Sequence, residues 1–395
     1  MHLELPLPLT FTPLEKIDFL FQSLSHTPNS EWVRVELAEL LLLMDRFDDV
    51  LNVLRGHDFT NTWQYRARMI EGNVWLNKEV DREAATAFTA ADAAALTTRA
   101  HARALAGLGK ALVRIGDTER ARRVFEQALK ADPANPDAQK RLTALNLREE
   151  CEAEALRRCD ALIRQGVLNS RLLADRYLAL AVLGRAKEAQ EQEGLDIFFQ
   201  STELEPPPSW DSIDSFNADL LDEVARHTAL RFERFGTAST ASWRIDNPLL
   251  KRSRVFPALL ELIRREILRQ VERMGPDHPL RRSKPERALL HPWCVLAQGP
   301  GHELWHMHQN AWISGVYYVA VPEVVRFSSD NCGCIEFGNP ELSHIPRAIP
   351  GERRTFRPKP GRLLMFPSHA YHRTYPSDSQ EHRLAVAFDV IPFTN

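Results

Sequence analysis

The chain has 395 residues and a formal net charge of −3, with 53 acidic against 50 basic side chains. That length suffices for two cores, and the near balance of charge gives no reason to expect nucleic acid or an anionic membrane as a partner. Five scattered cysteines argue against a disulfide framework and for a reducing, cytoplasmic setting, residues 1–21 lack the pattern of a signal peptide, and the most apolar short run, 40–44, falls far below membrane-spanning length.

The first half is predicted to be helical and repetitive. Leu105, Leu108, Gly109 and Leu112, then Ala121, Phe125 and Pro133, follow the tetratricopeptide pattern, with Leu105 where that pattern prefers Trp. The small position recurs in register. Ala38, with Leu37, Leu41, Val50 and Leu54, precedes Gly72 by the repeat length, and Gly72 brings Trp75, Ala84 and Phe88. Gly109 precedes Thr143 by the same interval, although Asn146 stands where Leu112 does and weakens the expected first helix of that copy. Tyr177, with Leu180 and Ala189, makes a weaker last copy because Tyr is not small. Small residues let paired helices approach and large ones fill the gap. Asp45 to Asp48 and Gly116 to Glu119 supply turns, and Pro133 and Pro136 break one unit from the next. A repeat domain over 1–200 is expected, either gripping a peptide or partner protein on a concave surface or serving as a packing and dimerisation scaffold.

Pro206, Pro207 and Pro208 cannot continue a helix, so 201–210 is taken as a stiff linker and 211–395 as the second domain. Helices are expected at 213–226 and at 256–274, where Leu259, Leu260, Ile263, Ile267 and Val271 keep helical spacing. From Trp293 onward short strands broken by Gly and Pro are expected. The fold class is multidomain α + β.

The chemistry-bearing residues lie in this second domain. His306 and His308 alternate, so an extended backbone sends both into one space. Imidazoles suit Fe, Zn, Cu and Ni alike. The apolar run from Gly361 to Pro367 ends in a turn that presents His369 and His372, and Arg383 shares a strand face with the small Ala385 and Ala387. Room beside a guanidinium suits a carboxylate bound bidentately. Tyr317 and Tyr318 face opposite sides of one strand, so one can reach that space while the other packs. Cys332 and Cys334 lack a second pair and fit a tight turn beside a strand better than half a metal site. His302 is read as a loop residue, and Trp305 and Trp312 as pocket lining or buried filler.

Taken together, His306-x-His308, the run Gly315 to Val319, Gly333 to Pro340, Pro360 to Ser368, His372 and Arg383 to Asp389 resemble the 2-oxoglutarate/Fe(II) oxygenases fused to tetratricopeptide repeats. These belong to the wider prolyl-hydroxylase-like group, and the resemblance covers about 293–393. It implies a double-stranded β-helix of the jelly-roll or cupin-like kind over about 290–395, with flanking helices. It also implies Fe(II) held by His306, His308 and His372, and a 2-oxoglutarate carboxylate on Arg383, with Tyr318 or Tyr317 beside it. His308 stands where the wider group usually has Asp or Glu, and Gln309 where Pro commonly follows, so Asn310, Glu303 and Glu336 stay open as third ligand or supporting partner. His369 is read as a supporting or mouth residue. The implied reaction consumes 2-oxoglutarate and O2, releases succinate and hydroxylates an unactivated C–H bond. The substrate would be a peptide or protein brought by the repeats. The alternatives are a small metabolite, or no catalysis at all in a repeat-based binding protein.

Overall fold

Between Phe11 and Val167 the recurrent small residues become the points of closest helix approach. The computed structural model describes residues 1–393 other than 235, 344, 346, 347, 350 and 378. The chain packs as two compact units, Phe11–Val167 and a second made of Met1–Thr10 with Leu168–Asn395. The first unit is antiparallel helices: α1 (Pro13–His26), α2 (Glu31–Leu43), α3 (Phe47–Leu54), α4 (Asn61–Asn77), α5 (Asp81–Ala93), α6 (Thr98–Ile115), α7 (Thr118–Ala131), α8 (Pro136–Arg148) and α9 (Glu152–Arg164). A Cβ on Gly72 would sit 2.8 Å from the Phe88 ring, and one on Gly109 would overlap Phe125. Start signals are local. Thr12 forms a capping box with Glu15 ahead of Pro13, and Asn135 caps α8 ahead of Pro136. Gly116 ends α6 at φ 92°. The doubtful Asn146 does not cost the fourth copy its first helix, because its buried Oδ1 accepts a 2.7 Å bond from Arg122 Nη1.

The second unit contains α10 (Ser170–Val182), α11 (Ala186–Glu193), α12 (Ile213–Ala225) and α13 (Val255–Arg273). Its strands are β1 (His2–Glu4), β2 (Gln200–Glu203), β3 (Arg231–Phe232), β4 (Ser239–Asp246), β5 (Arg287–Glu303), β6 (Ile313–Ala320), β7 (Ile335–Gly338), β8 (Arg353–Phe356), β9 (Arg362–Pro367), β10 (His372–Thr374) and β11 (Ser379–Pro392). The expected short strand at Trp293 is instead part of a 17-residue β5 that begins at Arg287 and also includes His302. Packing puts the boundary before Leu168, earlier than the proline run. The last repeat-like copy, α10–α11, packs with the strands, since Arg171 Nη2 donates to the Tyr371 hydroxyl at 2.7 Å and the bulky Tyr177 bonds Asn339. The residues ahead of the prolines form β2, paired with β9.

Among the described residues the larger sheet runs β2-β9-β6-β11-β5-β4-β3, with β1 parallel to β5, and a smaller antiparallel sheet runs β10-β7-β8. Register decides which side chains meet, since a one-residue slip would send each to the other face. Ala385 lies opposite Tyr318 and Val295, Ala387 opposite Val316 and Trp293, and Asp389 opposite Ser314 and His291. These share the inner face, where Val316, Tyr318, Leu364 and Phe366 join Ile335 and Phe337 of the smaller sheet in one core. Tyr317, Val386 and Phe388 point outward and pack with Phe216 and Leu220 of α12 and Leu260, Ile263 and Ile267 of α13. Among the described residues the five cysteines form no disulfide, and Cys332 and Cys334 flank Gly333 (φ 64°) in the turn before β7. Among the described residues no helix is long and apolar enough to cross a membrane.

Candidate metal centre

Two extended segments bring the histidines together just beyond the sheet. His306 and His308 lie past the end of β5, and His372 opens β10. His306 and His372 exchange two backbone hydrogen bonds of 2.9 Å, and His308 N donates to Ser368 O at 2.9 Å. This pairing preserves the alternation expected of a strand, so the rings of residues 306 and 308 converge on that of 372. Ring centroids are 5.2 Å apart for His306 and His308, 4.2 Å for His306 and His372, and 5.1 Å for His308 and His372. One ligand atom from each lies within 4.8 Å of the others, the cluster of this kind found among the described residues.

Each imidazole spends Nδ1 on an acceptor: His306 on Leu304 O at 2.7 Å, His372 on Ala370 O at 3.0 Å, and His308 on Asp389 Oδ1 at 3.0 Å. An acceptor at Nδ1 fixes the proton there and leaves the Nε2 lone pair for a metal. His308 Nε2 and His372 Nε2 face each other at 3.3 Å, an approach of two lone pairs that a cation between them relieves. Burial, followed by the neighbouring His308, pushes His306 down to about 3. Burial and both neighbours push His372 well below its ordinary value. Both are thus neutral, the form that ligates. The residues present therefore fit a divalent transition metal.

Asp389 is the site residue that the sequence reading missed. It orients His308 and accepts from Ser314 Oγ at 2.6 Å, and Ser314 in turn bonds Ser368 at 2.8 Å. Burial alone would raise its pKa, but the neighbouring His308 and the bonds from His308 and Ser314 hold it below the usual range. Its signal was present in the even spacing from Arg383 through Ala385 and Ala387, which puts it on the same face. Trp293 stacks on His308 with centroids 5.4 Å apart.

Arg383 is 5% exposed and is held by Gly333 O and Thr374 Oγ1, each at 3.1 Å. Among the described residues no carboxylate lies at ion-pair distance from it. Burial lowers its pKa while Tyr318 and Glu303 oppose the shift. A buried guanidinium bonded only to neutral acceptors has the chemistry to receive a carboxylate. Tyr318 shares this inner face and is buried. Tyr317 does not: its hydroxyl donates to Asn217 Oδ1 of α12 at 2.7 Å on the outer face. The expectation that it flanks a co-substrate is corrected by strand alternation.

The remaining candidates lie elsewhere. Glu336 is engaged by Arg373 Nε at 2.8 Å and by the Tyr375 hydroxyl at 2.7 Å. Glu303 accepts from Ser239 at 2.6 Å, burial raising its pKa, and Asn310 is exposed. His369 bonds Gln192 O at 2.8 Å and is not part of the three-histidine cluster. Trp312 donates to Leu280 O at 3.1 Å as buried packing, while Trp305 lies under Arg373 and Arg353, at 4.9 and 5.3 Å.

Residues 291–389 match the family described as "Putative 2OG-Fe(II) oxygenase", and residues 102–145 match the "Tetratricopeptide repeat" family. A search of curated proteins returns no match. Among solved structures, a prolyl-4-hydroxylase of Pseudomonas putida is 14% identical, covering 50% of this chain and 93% of its own, with a TM-score of 0.34. YrrB, a TPR protein described as having an unusual peptide-binding site, is 17% identical over 46% of this chain and 92% of its own, with a TM-score of 0.33. MamA from Desulfovibrio magneticus RS-1 is 21% identical over 38% and 84%, with a TM-score of 0.32.

Proposed function

With an oxygenase-family segment at 291–389 and a tetratricopeptide repeat before it as premise, we propose that the chain is an Fe(II)/2-oxoglutarate-dependent dioxygenase. Its core is read as a double-stranded β-helix, its setting as cytoplasmic, and its substrate as a peptide or protein recruited by the repeats. The observation that carries this reading is the pairing of three convergent imidazoles with a buried, carboxylate-free Arg383 on the strand that also bears Asp389.

His306, His308 and His372 would hold Fe(II) through Nε2. Iron with 2-oxoglutarate and O2 would supply the oxidising power for C–H hydroxylation, with succinate and CO2 released. Three neutral ligands leave the metal's full charge in place, and the Asp389 carboxylate behind His308 offsets part of it. Arg383 would take the distal carboxylate of 2-oxoglutarate in a fork geometry. Tyr318 would wall that pocket, and the small Ala385 and Ala387 would leave it room. The backbone bonds that tie 306 and 308 to 372 and 368 would hold the three imidazoles in place for the metal.

Anaerobic titration of Fe(II)-loaded protein with 2-oxoglutarate tests this. A weak visible charge-transfer band that Arg383→Ala abolishes is the expected result. Well-folded, iron-loaded protein that never develops the band would leave a binding protein or a 2-oxoglutarate-independent metal enzyme.

A further inference from the structure

The inner face that carries the histidines continues across the larger sheet onto β4 and β3. Asp246 lies opposite Trp293 and Arg244 opposite Val295, and Arg231 in turn lies opposite Arg244. Trp293 links the two regions: it stacks on His308, and the Arg244 guanidinium lies 4.9 Å over its ring. Asp246 gathers three arginines, through Arg244 Nε at 2.8 Å, Arg231 Nη2 at 2.9 Å and Arg234 Nε at 2.6 Å. These four side chains are only 13–23% exposed.

Three guanidinia share one carboxylate, in surroundings where charge is weakly screened. Of the nearby acids, Asp389 is engaged by His308 and Ser314, and Glu303 accepts from Ser239. Crowding three cations on a single anion is a costly way to hold a strand pair. It is a sound way to receive a second anion, because each guanidinium has several donors in a fixed fork. Arg244 spends Nε on Asp246, and among the described residues its two terminal nitrogens make no hydrogen bond.

We propose that Arg244, Arg231 and Arg234 form the substrate-recognition ledge of the metal centre and that the substrate presents a carboxylate to it, with the carbon to be oxidised reaching past Trp293 toward the histidines. This rests on the oxygenase reading and names its substrate class. The carboxylate belongs either to an acidic side chain within a peptide or to a small free acid.

The test is ligand-observed NMR titration of the full-length, Fe(II)-loaded protein under anaerobic conditions, with 2-oxoglutarate saturating so that Arg383 is filled. The probes are N-acetyl-glutamate amide, its neutral isostere N-acetyl-glutamine amide, and butyrate. The expected result is that the glutamate probe binds at least about tenfold more tightly than the glutamine probe, and that Arg244→Gln removes this difference. Asp246→Asn, which deletes the internal competitor, is expected to tighten the glutamate probe; a purely structural ion cluster would give no gain. Tighter binding of capped glutamate than of butyrate assigns a peptide source, and equal binding a small acid. Equal binding of the charged and neutral probes, or a preference that survives Arg244→Gln, overturns the proposal. The charge-transfer band, followed in the same samples, reports separately on the oxygenase reading: a band without carboxylate preference sinks only the ledge, and a preference without a band sinks only the oxygenase.

Discussion

His308 owes its pose to Asp389, so the two are best tested together. Asp389→Asn keeps an acceptor near Nδ1 but removes the charge. Fe(II) affinity, measured against a competing chelator, is expected to fall by roughly ten- to a hundredfold, the usual effect of losing such a partner. His372→Ala deletes a ligand from the middle of the cluster and is expected to abolish iron binding; stoichiometric iron in that variant would remove His372 from the site. Arg383→Ala is expected to raise the 2-oxoglutarate requirement by roughly a hundredfold with iron affinity nearly unchanged. An unaltered 2-oxoglutarate dependence would show that its buried charge serves another purpose.

Helix pairs and helix ends carry the next scale of prediction. The Gly109 backbone lies so close to Phe125 that Gly109→Ala must displace the ring. A loss of about 1–3 kcal/mol in thermal or urea unfolding is expected, despite the better helix propensity of alanine. At the end of α11, Glu193 is 6% exposed, and burial pushes its pKa from 4.5 up to about 7, with Arg354 opposing and Asp196 adding to the shift. Its folded pKa lies above the unfolded one, so the folded state holds the extra proton between them. The contribution is therefore present below 4.5 and is lost as pH rises through 7. Glu193→Gln should add roughly 3 kcal/mol of stability at pH 8 and little near pH 4. Equal gains at both pH values would contradict a buried, titrating carboxyl.

For the whole molecule, the position of the boundary decides which deletion is informative. Residues 168–203 supply α10, α11 and β2 to the unit that holds the histidines. A chain lacking 11–167 is expected to keep iron and the 2-oxoglutarate band. One lacking 1–200 is expected to be much less stable, because β5 loses its β1 partner and Tyr371 loses Arg171. The first deletion also separates peptide from metabolite. Turnover of a small acid should survive it, while turnover of a repeat-recruited protein should not.

The repeat register was legible in the sequence because helix–helix approach depends on single small residues at fixed intervals, as Gly72 and Gly109 show. The convergence of His306 and His308 on one space was legible because alternation along an extended backbone is a local property. Assigning α10 and α11 was not local: whether Tyr177 turns to a repeat or to Asn339 depends on what tertiary packing places beside it. The choice between Tyr317 and Tyr318 required knowing which sheet face the helices α12 and α13 cover. The bond of Asp389 to His308 and the ledge around Asp246 emerged only from tertiary structure, which sets β11, β5, β4 and β3 side by side and brings residues far apart in the chain onto one inner face.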